Sequence, residues 1–212
     1  MSLKTDGIHW LGHDSIRIDA SLTIYIDPWE VAGPQADLIL ITHDHFDHCD
    51  PPTVQKLAGP KTLVVTDRDS AAKLRAEGIV NQISVMEPGD LIEFKGVRIQ
   101  ALPSYNLNKD FHPKAKGNLG FLLNVDDLSI YHAGDSDFIP EMKDIKVQVA
   151  LLPVSGTYVM TAEEAVEAAL AIGPEVVIPM HYGKIVGDES MAASFAEGLN
   201  GRVKVEIKPL EK

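Results

Sequence analysis

The sequence predicts an α+β fold in which two mixed β-sheets pack face to face and helices cover their outer faces. Short apolar runs rich in β-branched residues recur along the first half of the chain, and strands alternate with helices in the last third. The length of 212 residues is enough for one well-buried domain and too short for two, so residues 1–212 are treated as a single domain.

The strands of the first half are indicated by apolar segments that stop at polar or turn-forming residues. A first strand is expected between His9 and His13, and the next apolar run ends at Asp27 and Pro28. Pro and Gly punctuate the later runs, as is typical of turns between strands. The expected strands after the first are 22–26, 37–42, 61–66, 82–86, 91–94 and 97–102.

Two helices are expected among these strands. Asp50 and the two prolines that follow it predict an N-cap and a helix through Leu57. The stretch 67–77 has apolar residues at helical spacing, and Gly78 stands where such a helix would end.

The second half begins with a long loop and a hairpin. Residues 104–117 show no periodicity, and an irregular polar loop of this length is more often functional than accidental. The capping box that opens at Thr161 predicts a helix that Gly173 closes. The other expected elements are the hairpin strands 119–125 and 128–132, strands at 149–154, 176–179 and 203–207, and a helix at 190–199.

Charge and composition exclude several classes of function. The formal net charge of −12 would repel a phosphate backbone, so we expect no nucleic-acid polymer as partner. No apolar run approaches the roughly 20 residues that span a bilayer, and the first residues lack the apolar core of a signal peptide. Cys49, the single cysteine, cannot form an intramolecular disulfide and fits a reducing compartment. We therefore expect a cytoplasmic globular protein without a membrane partner, and a homo-oligomer remains open.

A run of potential metal ligands follows the strand expected at 37–42. His43 and His45 alternate, so in extended backbone their side chains point to the same side. Asp47 and His48 come next, on a turn from which they can reach a second point a short distance away. Imidazole and carboxylate donors without a thiolate favour zinc, iron, nickel or manganese and argue against a purely structural zinc site. The arrangement therefore suits two adjacent metals rather than one closed structural site.

This run resembles the signature of the metallo-β-lactamase superfamily, and the resemblance extends along nearly the whole chain. It implies an αββα sandwich with a one- or two-metal site at one edge. The opening Ile8-His9-Trp10-Leu11-Gly12-His13-Asp14-Ser15 is similar to the start of the ascorbate-6-phosphate lactonase-like branch. The other segments that carry the resemblance are Asp27, Tyr131-His132-Ala133-Gly134-Asp135-Ser136-Asp137 and Pro179-Met180-His181-Tyr182-Gly183.

The resemblance implies a set of ligands and catalytic carboxylates. Asp135 would bridge the two metals and act, with Asp47, in catalysis. Asp27 would orient the loop that carries the histidines. The implied ligands are His43 and His45 for the first metal and Asp47, His48 and His181 for the second, with Asp135 shared. One or two divalent ions are the expected cofactors, with zinc as the expected ion and manganese or iron as alternatives.

The chain departs from the family pattern at the third histidine of the first metal. Asn106 stands in the corresponding stretch, and an amide oxygen is a weak ligand for zinc. His112, in the same long loop, could take this place instead. The sequence leaves open whether the first site is weakened or His112 completes it.

Further residues are expected around the site rather than on the metals. Support for the ligands is expected from His9, His13 and His132, and Asp14 and Asp44 are interpreted as supporting or capping carboxylates. Contacts with substrate are expected from Lys109, Lys114 and Tyr158. Lysines in a chain this acidic favour a local anion site, so a small anionic substrate is the expected partner.

The function expected from these residues is hydrolysis by a metal-activated water, with an ester, lactone or phosphodiester as substrate. A phosphodiesterase or nuclease of the same fold is one alternative. Another is a non-catalytic metal- or anion-binding protein whose first metal site has degraded at Asn106. An oxidoreductase with two irons is a further alternative, although the sequence indicates no flavin or electron-partner domain.

Overall fold

A computed structural model describes residues 5–79 and 82–211, and the strands in these residues form two mixed sheets. The first sheet consists, in spatial order, of β1 (Ile8–Gly12), β2 (Ser15–Asp19), β3 (Thr23–Ile26), β4 (Ala36–Ile41), β5 (Ala58–Thr66) and β6 (Gln82–Val85). The second consists of β7 (Leu91–Phe94), β8 (Val97–Pro103), β9 (Leu119–Val125), β10 (Leu128–His132), β11 (Val149–Pro153), β12 (Val176–Met180) and β13 (Lys204–Val205), with β7 and β13 at its edges. Each sheet is antiparallel on one side and parallel on the other.

Helices cover the outer faces of both sheets. The helices are α1 (Pro51–Leu57), α2 (Arg68–Ala76), α3 (Ala162–Ile172) and α4 (Glu189–Leu199). Side chains of α1 and α2 share a buried cluster with β3, β4 and β5, whereas α3 and α4 contact each other and the strands β11 and β12. The predicted α+β sandwich of two mixed sheets with outer helices is confirmed.

Residues 38–41 of strand β4 show why the strand segments buried on both faces are apolar without interruption. Leu38 and Leu40 pack in the core between the sheets, while Ile39 and Ile41 pack under the helices of the first sheet. Alternate residues of a strand point to opposite faces, so a strand buried on both faces has no position for a polar side chain. Each such side chain contributes about 1.5–3 kcal/mol by burial. This packing holds the loop after β4 on a rigid support.

The structure corrects several sequence-based boundaries. Strand β2 was not predicted, although Ile16 and Ile18 alternate with Arg17 and Asp19 as in a half-buried strand. The expected last strand, 203–207, shortens to Lys204–Val205, and the strand expected from residue 61 begins at Ala58. Short 3₁₀ turns at Lys114–Lys116 and Pro140–Asp144 were also not predicted.

Asp50 is the N-cap of α1, as predicted, but its side chain does not cap the helix. The Asp50 carboxylate makes no capping bond to the helix backbone and accepts a hydrogen bond from the Thr53 hydroxyl at 2.6 Å instead. Prolines in the first turn carry no N–H, so fewer donors there need a partner.

The carboxyl ends of several strands meet at one edge of the sandwich. The loops after β3, β4, β8, β10 and β12 all begin there, as does the turn between β1 and β2, whose His13 carbonyl accepts a hydrogen bond from the His181 amide. Such an edge is where α/β sheets commonly place their ligand sites. Among the described residues, none of the helices has both the length and the apolar content that a membrane crossing requires.

Candidate metal centre

Four donor atoms converge into a first donor set, which we define as His43, His45, His112 and Asp135. His45 Nδ1 lies 3.0 Å from His43 Nε2 and 3.3 Å from His112 Nε2. Asp135 Oδ2 lies 3.3 Å from His112 Nε2 and 4.0 Å from His43 Nε2. Ligands at 2.0–2.1 Å around a tetrahedral zinc are separated by roughly 3.4 Å, so the spacing suits one such ion.

His112 occupies the place that the sequence left open between it and Asn106. The Asn106 side-chain oxygen accepts a hydrogen bond from the His112 amide at 3.0 Å and lies 3.2 Å from His112 Nδ1. The Asn106 side-chain nitrogen donates to the Tyr158 carbonyl at 3.0 Å and to Asp137 Oδ1 at 3.2 Å. Asn106 therefore contacts His112 at the ring nitrogen that faces away from the donor set, and the hydrogen bonds of its side-chain amide hold that ring in place.

A second donor set lies on the other side of Asp135 and consists of Asp14, His48, His181 and Asp135. His48 Nε2 is 3.3 Å from Asp135 Oδ1, and His181 Nε2 is 3.3 Å from Asp135 Oδ2. Asp135 thus faces both sets. Asp47, which the sequence assigned to the second metal, has its Oδ2 atom 3.8 Å from His48 Nε2 and 3.1 Å from His13 Nε2. It falls outside the groups of donor atoms that lie within 4.8 Å of one another.

The outer ring nitrogens of four histidines are held by oxygen atoms. Each of these histidines turns Nε2 toward the donor sets and has Nδ1 within hydrogen-bond distance of an oxygen. The pairs are His43 with Thr42 Oγ1 at 2.9 Å, His48 with Asp27 Oδ2 at 2.8 Å, His112 with Asn106 Oδ1 at 3.2 Å and His181 with Ser155 Oγ at 2.8 Å. A proton on Nδ1 leaves the lone pair on Nε2 free, which is the form that binds metals.

The Asp27 carboxylate connects the supporting contacts of the two donor sets. Its carboxylate accepts hydrogen bonds from the Thr42 amide at 2.7 Å, the Thr42 hydroxyl at 2.6 Å and His48 Nδ1 at 2.8 Å. Thr42 in turn lies against His43, so one buried carboxylate positions a histidine of each donor set.

We expect Thr42→Val to lower metal affinity by about 10–100-fold, because it removes the hydroxyl between Asp27 and His43. Thr66→Val is the matched control, since Thr66 is equally buried but donates to the Ile41 carbonyl. Both variants should lose about 1 kcal/mol of unfolding free energy. Competition with a chelating dye measures the affinity. Equal affinities of the two variants would contradict the role of Thr42.

Backbone conformation at the site is unusual. His13, Asp27 and His181 have φ angles of 52°, 45° and 60°, in the left-handed region that non-glycine residues rarely adopt. Gly134, at φ 58°, precedes Asp135, and a Cβ atom there would lie 2.9 Å from the Leu119 carbonyl oxygen. Strained residues of this kind persist where the surrounding structure holds them, and here they cluster on the loops of the donor sets.

The pKa values of His43 and His112 in the first set shift in the opposite direction from those of His48 and His181 in the second. Burial lowers the pKa of His43 well below its usual range and lowers that of His112. Burial also opposes charge on His48 and His181, but Asp135 outweighs it, raising the pKa of His48 well above its usual range and that of His181 to about 9. The same two imidazoles hold the pKa of Asp135 well below its usual range against the effect of burial. Metal binding at the second set therefore has to displace protons.

Buried side-chain nitrogen and oxygen atoms without a hydrogen-bond partner indicate whether the site fits a metal ion. Among the described residues, most of the buried side-chain atoms that lack a hydrogen-bond partner lie at the second set: His13 Nδ1, both Asp14 oxygens, His48 Nε2, Asp135 Oδ1 and His181 Nε2. Burying such groups without a partner is costly, and a divalent cation would satisfy several of them at once. The donor chemistry and these atoms fit one or two divalent metal ions.

Asp14 is a residue to which the sequence gave only a supporting or capping role. It is fully buried, caps no helix, and groups with His48, Asp135 and His181 within 4.8 Å. Burial raises its pKa well above the usual range. Its position directly after His13, in the opening segment of the resemblance, was the one available signal.

The remaining predicted supporting histidines are placed differently from one another. His13 contacts Asp47, as described above. His132 lies 3.2 Å from the Asp14 carbonyl oxygen through Nε2, and its Nδ1 accepts from the Gly134 amide at 3.2 Å. The expectation for His9 is wrong: strand β1 directs its ring away from the donor sets, toward the carboxylates of Asp19 and Glu211.

The lysines expected to bind substrate are engaged elsewhere. Lys109 pairs with Asp137 at 2.6 Å and Lys114 with Glu141 at 2.8 Å. Neither lines the cleft above the donor sets, so the prediction that they contact substrate is not supported by their positions. The sequence could not show these pairings, because strands β9 and β10 separate the two lysines from Asp137 and Glu141 along the chain.

A cleft of about 450 Å³ opens above the donor sets. Its floor contains donor-set residues, and Tyr158 lines it, as expected from the sequence. Its remaining lining includes three large apolar side chains that sequence reasoning missed. The lining residues are Asp44, His45, Phe46, Asp47, Phe111, His112, Asp135, Tyr158 and Ile185.

Comparisons with known proteins agree with this architecture. The family profile described as the beta-lactamase superfamily domain matches residues 7–181. A metal-dependent hydrolase of Methanoregula boonei is 34% identical, over 84% of this chain and 84% of its own length. A crystal structure described as a metal-dependent hydrolase from Parabacteroides distasonis has a TM-score of 0.85 at 32% identity, covering 100% of this chain and 98% of its own. A metallo hydrolase from Ignicoccus hospitalis has a TM-score of 0.78 at 25% identity, covering 97% and 95%.

Proposed function

We propose that this chain, which belongs to the beta-lactamase superfamily and is a metal-dependent hydrolase, uses two zinc ions to hydrolyse a small ester, lactone or phosphodiester. The observation that carries the proposal is the sharing of Asp135 by two adjacent donor sets. The narrower lactonase-like branch stays a prediction.

The ligand assignment within this proposal follows the donor sets. The first ion would be held by His43, His45 and His112 and the second by His48 and His181, with Asp135 belonging to both sets and Asp14 to the second. Nitrogen and carboxylate donors without a thiolate suit zinc, and manganese or iron would also be accepted. Metal ions bound there supply a water of lowered pKa and stabilise negative charge on the attacked group.

The protein's own groups then orient the reaction and move the proton. Asp135 faces both sets and so can position the nucleophilic water and take up its proton. Asp135 can then pass that proton to the leaving group, and Asp47, which lines the cleft beside His13, is the second carboxylate at the site. The surrounding apolar side chains limit the access of bulk water to these groups.

Metal depletion and reconstitution test the proposal. The protein is stripped with a chelator, its metal content is measured, and zinc, manganese or iron is returned before assay with carboxylic esters, lactones and phosphodiesters. We expect hydrolysis of at least one class to disappear on stripping and to return best with zinc, at about two ions per chain. Activity that is unaffected by complete metal removal, or no hydrolysis of any class by the loaded protein, would contradict it.

The non-catalytic alternative is weakened by one contact. Its premise was a first metal site that lacks a third strong donor, and His112 lies within 3.3 Å of both His45 and Asp135.

We retain a cytoplasmic location as part of the proposal, because Cys49 is a free, buried thiol whose pKa burial raises to about 12. The net charge of −12 continues to favour small substrates over nucleic-acid polymers.

A further inference from the structure

We infer that the cleft takes an uncharged substrate with an apolar group next to the scissile carbonyl, which rests on the proposed hydrolytic function and narrows it to carboxylic esters and lactones. Phe46, Phe111 and Ile185 line the cleft and are 62%, 50% and 52% exposed. They come from three separate loops that meet only at this edge of the sandwich. Large apolar side chains gathered around a concave site mark a surface that a ligand covers.

The apolar wall is held in place by aromatic contacts. Phe111 packs edge-on against Tyr158 with ring centroids 4.6 Å apart. Phe46 packs edge-on against Trp29 at 5.7 Å, and the Lys184 ammonium lies 4.4 Å from the centre of the same indole. Edge-to-face pairs of this kind restrict ring motion, so the wall is formed before a ligand arrives. A preformed wall costs less conformational entropy on binding.

Charge in the cleft disfavours an anionic group away from the reacting centre. Among the described residues that line it, the ionisable side chains other than histidine and tyrosine are Asp44, Asp47 and Asp135. Metal ions bound at the floor would offset Asp47 and Asp135, but Asp44 lies on the wall. No lysine or arginine is among the described lining residues, so an anionic tail on this wall would meet the Asp44 carboxylate.

The nearby lysines do not supply the missing cation. Lys109 and Lys114 are paired with Asp137 and Glu141, and Lys116 lies 3.2 Å from Asp69 and 4.0 Å from Asp44. Lys184, whose ammonium lies over Trp29, is 3.5 Å from Glu30. Freeing any of them would leave a carboxylate without its counter-charge. The expectation of an anionic substrate is therefore replaced by that of an uncharged one.

A series of uncharged γ-lactones with unbranched side chains of increasing length tests this inference on the zinc-loaded protein. Each methylene that reaches the wall should raise kcat/KM about three- to fourfold. A matched series with a terminal carboxylate on the side chain should be at least about tenfold poorer at equal length. Phe46→Ala and Phe111→Ala should flatten the dependence on chain length. Leu91→Ala is the control, because Leu91 is 47% exposed on the edge strand β7, and it should leave the dependence unchanged.

A binding experiment separates this inference from the proposed hydrolysis. Uncharged aliphatic carboxamides of the same chain lengths are titrated into the metal-free protein and followed by NMR. Affinity that grows with chain length and is lost in Phe46→Ala and Phe111→Ala supports the inference, even if no lactone is hydrolysed. Lactone hydrolysis that favours the carboxylate series, or a chain-length dependence that both variants retain, overturns the inference and leaves the hydrolase intact.

Discussion

Asp135→Asn is expected to abolish metal-dependent hydrolysis, lowering kcat/KM by about 10³-fold or more and reducing the metal retained after dialysis. The Asp135 carboxylate lies within 4.0 Å of ligand nitrogens in both donor sets, through His43 and His112 on one side and His48 and His181 on the other. The amide is nearly isosteric but neutral. It would leave the positive charge of the metals without the carboxylate that faces both, and it would offer a weaker proton acceptor.

Metal content by mass spectrometry and turnover by the assay above measure this effect. Asp67→Asn is the matched control, since Asp67 is also buried but accepts a hydrogen bond from the Ser70 amide at the start of α2. The control should lose about 1 kcal/mol of unfolding free energy and keep its metals. If Asp135→Asn kept both full metal content and full turnover, the assignment of the shared carboxylate would be wrong.

His112→Ala is expected to remove one of the two ions, whereas Asn106→Ala should weaken binding at the same position by about 10–100-fold without eliminating it. The reason is geometric. His112 presents Nε2 to His45 and Asp135, while Asn106 contacts the opposite nitrogen of that ring and the His112 amide. Removing the ligand deletes a metal bond, and removing its support only frees the ring to rotate.

Zinc titration of the metal-free variants distinguishes the two roles. Asn108→Ala serves as the matched control, because Asn108 is an exposed asparagine of the same loop whose side chain contacts Lys109. It should bind zinc like the unmodified protein. The opposite order, with the first ion lost in Asn106→Ala and kept in His112→Ala, would make the asparagine the third ligand.

Local patterns in the sequence were sufficient for the fold and for part of the candidate site. Apolar runs, a capping box and turn residues act over a few neighbouring positions, so they predicted the central strands, α3 and the sandwich. The alternation of His43 and His45 after a buried strand likewise predicted two side chains on one side. Asp135 and His181 were named through the resemblance, and the structure brings both to the histidine run.

Boundaries depended on contacts that no local pattern contains. Strand β2 was missed although polar residues such as Arg17 alternate with apolar ones along it. Its pairing with β1 on one side and β3 on the other defines it as a strand. The final strand was predicted too long because only Lys204 and Val205 find partners on β12. Pairing with a neighbouring strand, rather than intrinsic preference, decided where these elements begin and end.

The sequence by itself determined that a cluster of imidazole and carboxylate donors follows a buried strand, because ligand type and spacing are written in neighbouring residues. Only the tertiary structure decided that His112 rather than Asn106 completes the first set and that Asp14 joins the second. It also decided that Lys109 and Lys114 are neutralised by partners and that Phe46, Phe111 and Ile185 form the wall of the cleft. These outcomes depend on how an aperiodic loop and two turns meet through space. Hydrogen bonds and ion pairs between distant residues fix that arrangement. The local sequence around a residue does not indicate which distant residue it will pair with.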